Sequence, residues 1–152
     1  MKHRFLLDEN ILHHGIKGVD RHDNPDLAAT TVLRLIGANC HTIVINLELL
    51  TRYKTQLQKL ARERAPVFEP ARFVRELLHN SDKRSLEYDD PPELPTGVTV
   101  PRKDIHIVRA ALVSKPLVVT ADEDLWKSIN TQKVLGLTAL TPHEAMPLSK
   151  ES

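Results

Sequence analysis

The chain has 152 residues, 41% of them hydrophobic and 27% charged, and its 21 Lys and Arg against 20 Asp and Glu leave a formal charge of +1. The length suits one domain, the composition is that of a soluble globular protein, and the near-neutral balance excludes a nucleic-acid role argued from bulk charge. No apolar run is long enough to span a bilayer, Phe5-Leu6-Leu7 is too short for the centre of a signal peptide, and the single Cys40 excludes an internal disulfide, so a cytoplasmic protein is expected.

In chain order, Arg4-Phe5-Leu6-Leu7 predicts a first strand closed by Asp8. Asn24-Pro25-Asp26 predicts a helix start, with Asn as cap and Pro at the first helical position, and Ala28, Val32, Leu35 and Ile36 form its stripe up to Gly37. His41 to Asn46 is a β-branched run of strand length. A longer helix is expected from about Leu47 to Arg64, on the spacing of Leu50, Tyr53, Leu57, Leu60 and Ala61, before Pro66 stops it. Phe73, Val74, Leu77 and Leu78 predict a further short helix. Residues 52–84 carry nine basic against four acidic side chains. They are the candidate nucleic-acid face, with a solvated helix surface as the alternative.

Residues 80–103 lack a period and contain Pro91, Pro92, Pro95 and Pro101 with several acids, which predicts a long loop. Residues 104–114 read as a buried helix, Pro116 to Thr120 as a strand, and Leu137 to Thr141 as a last strand stopped by Pro142. Pro147 to Ser152 read as a frayed tail, leaving a single domain over 1–146. The strands are apolar continuously and alternate with helices, so the expected fold is a three-layer α/β/α sandwich with a mainly parallel sheet of four to five strands.

Ligands of such sheets bind at the carboxyl ends of the strands, and there the chain places carboxylates. Asp8 closes the first strand, Asp122 and Asp124 follow the strand ending at Thr120, Asp104 opens the buried helix, and Glu48 lies just past Asn46. Converging carboxylates repel unless a cation is present, and hard oxygen donors select Mg2+ or Mn2+. Helix capping is the competing role for each Asp. The eight His residues include His13-His14 and His22, with no HExxH pattern for zinc. His106, near Asp104, reads as a core histidine or a substrate contact.

Taken together, Phe5-Leu6-Leu7-Asp8-Glu9-Asn10, the helix Asp104-Ile105-His106-Ile107-Val108-Arg109-Ala110-Ala111-Leu112, the stretch Val118-Val119-Thr120-Ala121-Asp122-Glu123-Asp124-Leu125 and the closing Leu137 to Pro142 resemble the PIN domains, small Mg2+/Mn2+-dependent ribonucleases that include toxins of toxin–antitoxin pairs. The resemblance implies the PIN-like α/β/α fold. It also implies an endoribonuclease acting on single-stranded RNA with products bearing 5′-phosphates. By it Asp8, Asp104 and Asp122 are metal ligands, Asp124 a further acid, and Asn10 and Thr120 hydrogen-bonding groups behind them. Arg52, Lys54, Arg102 and Lys103 are the basic side chains offered to substrate.

The chain departs from the family at the fourth acid. A glutamate is expected where Arg52 stands, and Glu48 lies one helical turn earlier, able to serve as the fourth catalytic acid or to pair with Arg52. An Arg52 pointing into the acids would replace the metal and leave a PIN-like domain that binds RNA or a protein without cleavage. RNA is the implied partner, with an antitoxin or other protein and a homodimer as further options, and no membrane. An aspartyl phosphotransferase would want Asp-x-Asp after the first strand, where this chain has Asp8 and Asn10. A receiver domain would want Lys after the last strand, where it has Thr141-Pro142.

Overall fold

A computed structural model describes residues 1–152. Three central strands, β1 (Arg4–Leu7), β2 (Thr42–Asn46) and β4 (Leu117–Val119), carry the apolar runs, and β3 (Arg84–Glu87) and β5 (Thr138–Leu140) flank them in the parallel order β3-β2-β1-β4-β5. Phe5, Leu6 and Leu7, then Ile43, Val44 and Ile45, are fully buried. Consecutive side chains of a strand point to opposite faces, so both faces are covered, and the architecture is the three-layer α/β/α sandwich.

The helices are α1 (Glu9–Lys17), α2 (Ala28–Ala38), α3 (Leu47–Leu60), α4 (Pro70–Phe73), α5 (Ile105–Ser114), α6 (Glu123–Thr131) and α7 (Pro142–Ser149). Strand order reverses between β1, whose chain goes on to β2 on one side, and β4, whose chain goes on to β5 on the other. That switch point opens a crevice above the carboxyl ends of β1 and β4. The Asp8 N–H donates to the Val119 carbonyl at 3.0 Å, which ties the two strand ends together beneath it. The Tyr53 hydroxyl, fully buried on α3, donates to the Leu7 carbonyl and anchors α3 to the same edge.

One helix is added and three expectations change. α1 begins at Glu9, directly after Asp8, packing Ile11, Leu12 and Ile16 into the core. The next helix begins at Ala28 rather than at Asn24, because Pro25 bridges Val19 and Asp20 Oδ1 accepts the His22 and Asn24 N–H groups, closing residues 19–25 into a loop. Asp26, not Asn24, serves the helix start by accepting from the Ala28 N–H at 2.8 Å.

The loop predicted over 80–103 contains β3, an edge strand with Leu86 as its one apolar side chain, set in register against β2 by backbone pairing. The first half of the expected frayed tail, Pro147 to Ser149, is helical. α7 runs to Ser149, which is buried, and the Ser149 carbonyl accepts from Asn39 Nδ2 at 2.8 Å. A capping box of Thr141 and Glu144 and Pro142 in the first turn start this helix well enough to carry Pro147 inside it.

Candidate functional site

The crevice is a cleft of about 430 Å3 lined by polar and charged side chains alone. Asp8 enters it from the end of β1, Glu9 and Asn10 from the first turn of α1, Asp104 and His106 from the start of α5, Asp122 from the end of β4, and Arg52 from α3. Three of the carboxylates expected to meet, Asp8, Asp104 and Asp122, therefore share one wall-to-wall site although 114 positions separate the first from the last.

Each acid has a distinct setting. Asp8 is buried, and although it sits at the N-cap of α1 its side chain caps nothing; instead Oδ2 accepts the Thr120 hydroxyl at 2.8 Å. Burial, reinforced by a hydrogen bond with Glu9 and by the Glu9 and Asp104 charges, pushes its pKa up to about 8 against the pull of Thr120. Asp104 is buried at the head of α5, makes no capping bond, and its Oδ2 has no hydrogen-bond partner. Desolvation and the Asp122 charge raise its pKa.

Asp122 does cap α6, with Oδ1 accepting the Asp124 and Leu125 N–H groups at 2.9 and 3.2 Å. Its Oδ2 remains for the cleft, where Lys103 Nζ pairs with it at 2.5 Å. Burial works against its ionised form, but Lys103 and the helix N–H groups outweigh it and lower the pKa.

Thr120 and Asn10 hold the floor. The Thr120 hydroxyl accepts the Asp122 N–H at 3.0 Å while donating to Asp8, and Asn10 Oδ1 accepts the Ala121 N–H at 3.3 Å. Asp124 lies outside the cleft, in a separate depression beyond Asp122 that also involves Arg21 and His14. Glu48 is not brought to the acids either: it is exposed and pairs with Arg52 at 3.3 Å. Arg52 in turn reaches Glu9 at 3.7 Å, so its guanidinium does not sit among Asp8, Asp104 and Asp122. Lys54 and Arg102 are exposed and lie outside the cleft, whereas Lys103 is part of it.

Sequence reading missed Glu9. Its Oε1 accepts from His106 Nε2 at 2.7 Å, and burial is overcome by the His106 and Asp8 hydrogen bonds so that its pKa falls to about 2. The signal lay in its position, the first helical residue after a strand-end acid, which became visible once α1 started there. His106, with a nearly buried side chain, is the group that holds it.

The donor set is hard oxygen, suited to Mg2+ or Mn2+. The partnerless buried Oδ2 of Asp104 and the strongly raised pKa of Asp8 both mark places where positive charge would be stabilised. No three His, Cys, Asp or Glu side chains are drawn tightly enough together to hold a cation as they stand. Asp122 is meanwhile held by Lys103.

No protein-family model matches the chain, and no curated protein does. Among solved structures it is similar to a PilT N-terminus domain protein from the hyperthermophilic archaeon Sulfolobus solfataricus P2, at 14% identity and a TM-score of 0.48, over 98% of this chain and 95% of that one. No helix is long and apolar enough to cross a membrane.

Proposed function

We propose that the protein is a divalent-metal-dependent nuclease that hydrolyses phosphodiester bonds of single-stranded RNA. The observation that carries the reading is the meeting of Asp8, Asp104 and Asp122 in one polar cleft at the strand switch point, with an orphaned carboxylate oxygen on Asp104. These three residues would hold Mg2+ or Mn2+, which when bound supplies a water of lowered pKa and charge neutralisation at the phosphate.

The chain's own groups do the rest. Thr120 fixes Asp8 and the Asp122 backbone at once, so the two carboxylates keep their relative positions. Lys103, largely exposed and paired with Asp122 Oδ2, would be displaced from that oxygen by a bound cation and would then be free to contact a substrate phosphate oxygen. Arg52, at the rim, offers a guanidinium to the next phosphate along the strand. Water adds to phosphorus, the P–O3′ bond breaks, and the products carry a 5′-phosphate and a 3′-hydroxyl.

A second reading has its own support. Lys103 on Asp122 and the position of Glu48 outside the cleft would suit a PIN-like domain that binds RNA, or a protein such as an antitoxin, without cutting it. The test is cleavage of labelled single-stranded RNA with Mg2+, with Mn2+ and with EDTA, by the wild-type protein and by Asp8→Asn. Metal-dependent cutting lost in Asp8→Asn supports the nuclease; RNA binding with no cutting under any metal overturns it in favour of the second reading.

A further inference from the structure

Beside the acid cleft lies a second cavity of about 420 Å3, walled by the loop after α1, the start of α2, α6 and the first turn of α7. The two share Asp122, so whatever fills the second cavity lies next to whatever is held in the first. Its walls differ in kind. Trp126 contributes an indole and Ala28, Ala29 and Pro142 apolar surface, while His14, His143 and Arg21 contribute nitrogen donors and acceptors.

The acids around it are already engaged. Asp20 is held by loop N–H groups, Asp26 by the Ala28 N–H and by His143 at 2.9 Å, and Glu123 by Arg21 and Lys127. Trp126 Nε1 donates to Glu144 at 2.9 Å, so what the indole has left to offer a ligand is its π surface. His14 Nδ1 is buried without a partner. Apolar and aromatic surface with a few ring nitrogens is the chemistry of a flat, hydrogen-bonding heterocycle, and the volume falls in the range of small-ligand sites.

We propose that this cavity is a nucleobase pocket that takes one unpaired base of the strand lying in the acid cleft, stacked on Trp126. Its place next to the scissile phosphate rests on the nuclease reading; its capacity for a base does not. A pocket of this kind at one position, rather than an aromatic platform, would give the protein preference at the nucleotide flanking the cut.

Trp126 is the single tryptophan of the chain and lines this cavity, so its fluorescence reports from the cavity wall. The test titrates wild-type protein in EDTA with adenosine, adenosine 5′-monophosphate, the other three ribonucleoside monophosphates and inorganic phosphate. Saturable quenching by nucleosides or nucleotides and not by phosphate is expected, weakened about tenfold or more in His143→Ala and retained in Asp8→Asn. Isothermal calorimetry on Trp126→Leu should show the same loss without an optical probe. Quenching by phosphate alone, or by nothing, overturns the pocket while leaving the cleavage assay free to support the nuclease. Base binding that persists in a protein that never cuts RNA upholds the pocket and removes the nuclease reading.

Discussion

Thr120 and Asp8, 112 residues apart in the chain, are joined at 2.8 Å by a buried hydrogen bond from the threonine hydroxyl to the aspartate Oδ2, and the same hydroxyl accepts the Asp122 N–H. One oxygen thus couples the ends of β1 and β4. Thr120→Val keeps the shape and removes both bonds, leaving a buried carboxylate and a backbone donor without their partner. A loss of about 1 to 3 kcal/mol is expected in urea denaturation, with Thr120→Ser recovering most of it.

Asp8 sets a pH dependence in the metal-free protein. Its folded pKa of about 8 stands above the ordinary value of 3.8, so its contribution to stability is fully present below about pH 4 and is lost as pH rises towards 8. The slope is at most one proton, about 1.4 kcal/mol per pH unit. Glu9, held near 2, acts only at the acid end, where its contribution is lost as pH falls from 4.5. Melting curves of wild type and Asp8→Asn in EDTA should therefore diverge between pH 4 and 8, the variant being the more stable at pH 8. Curves that run parallel would contradict the burial assigned to this carboxyl.

Lys103 competes with any cation for Asp122 through its 2.5 Å ion pair. In Lys103→Gln, affinity for Mn2+ should rise several-fold, about the effect expected from losing one partly exposed charge pair. On the nuclease reading, binding of RNA should weaken, because the ammonium would then be the phosphate contact nearest the acids. Calorimetric titration with Mn2+ and filter binding of an RNA oligonucleotide separate the two effects.

Arg52 pairs with Glu48 and Glu9 at the rim, not with Asp8, Asp104 or Asp122. Arg52→Glu should accordingly create no cation site and no new activity. It should weaken RNA binding, and with it lower the steepness of the salt dependence by about one counterion. Binding measured at several salt concentrations checks this, and a gain of cleavage in the variant would show that the arginine blocks a metal after all.

Glu9 and His106 form a pair that positions the first turn of α1 against α5 across 2.7 Å. Glu9→Gln keeps a hydrogen-bonding group there but loses the charge, and should cost less than Glu9→Ala, which leaves the nearly buried His106 without its partner at a cost of about 1 to 3 kcal/mol. Thermal denaturation at pH 7 distinguishes the two.

The apolar runs Phe5-Leu6-Leu7, Ile43-Val44-Ile45 and Val118-Val119, set between helical patterns, were enough to expect a parallel sheet covered on both faces, since strands buried on both sides carry unbroken hydrophobicity. The acids placed at the ends of two of those strands, with Asp104 at the head of the helix feeding one of them, were legible for the same reason: strand ends and helix starts are local features. What only the tertiary structure decided was set by pairing and packing between distant segments. β3 is a strand because β2 lends it backbone partners, not because Arg84-Ser85-Leu86-Glu87 favours one. The end of α7 is tied to the end of α2, where the Ser149 carbonyl accepts from Asn39 Nδ2, a partner 110 residues away. Glu48 stays outside the cleft and Glu9 enters it because the start of α1, immediately after Asp8, turns one carboxylate towards His106, while α3 leaves the other paired with Arg52 on its exposed face. Helix phase relative to a neighbouring strand is a property of the packed chain, and no periodicity within either segment contains it.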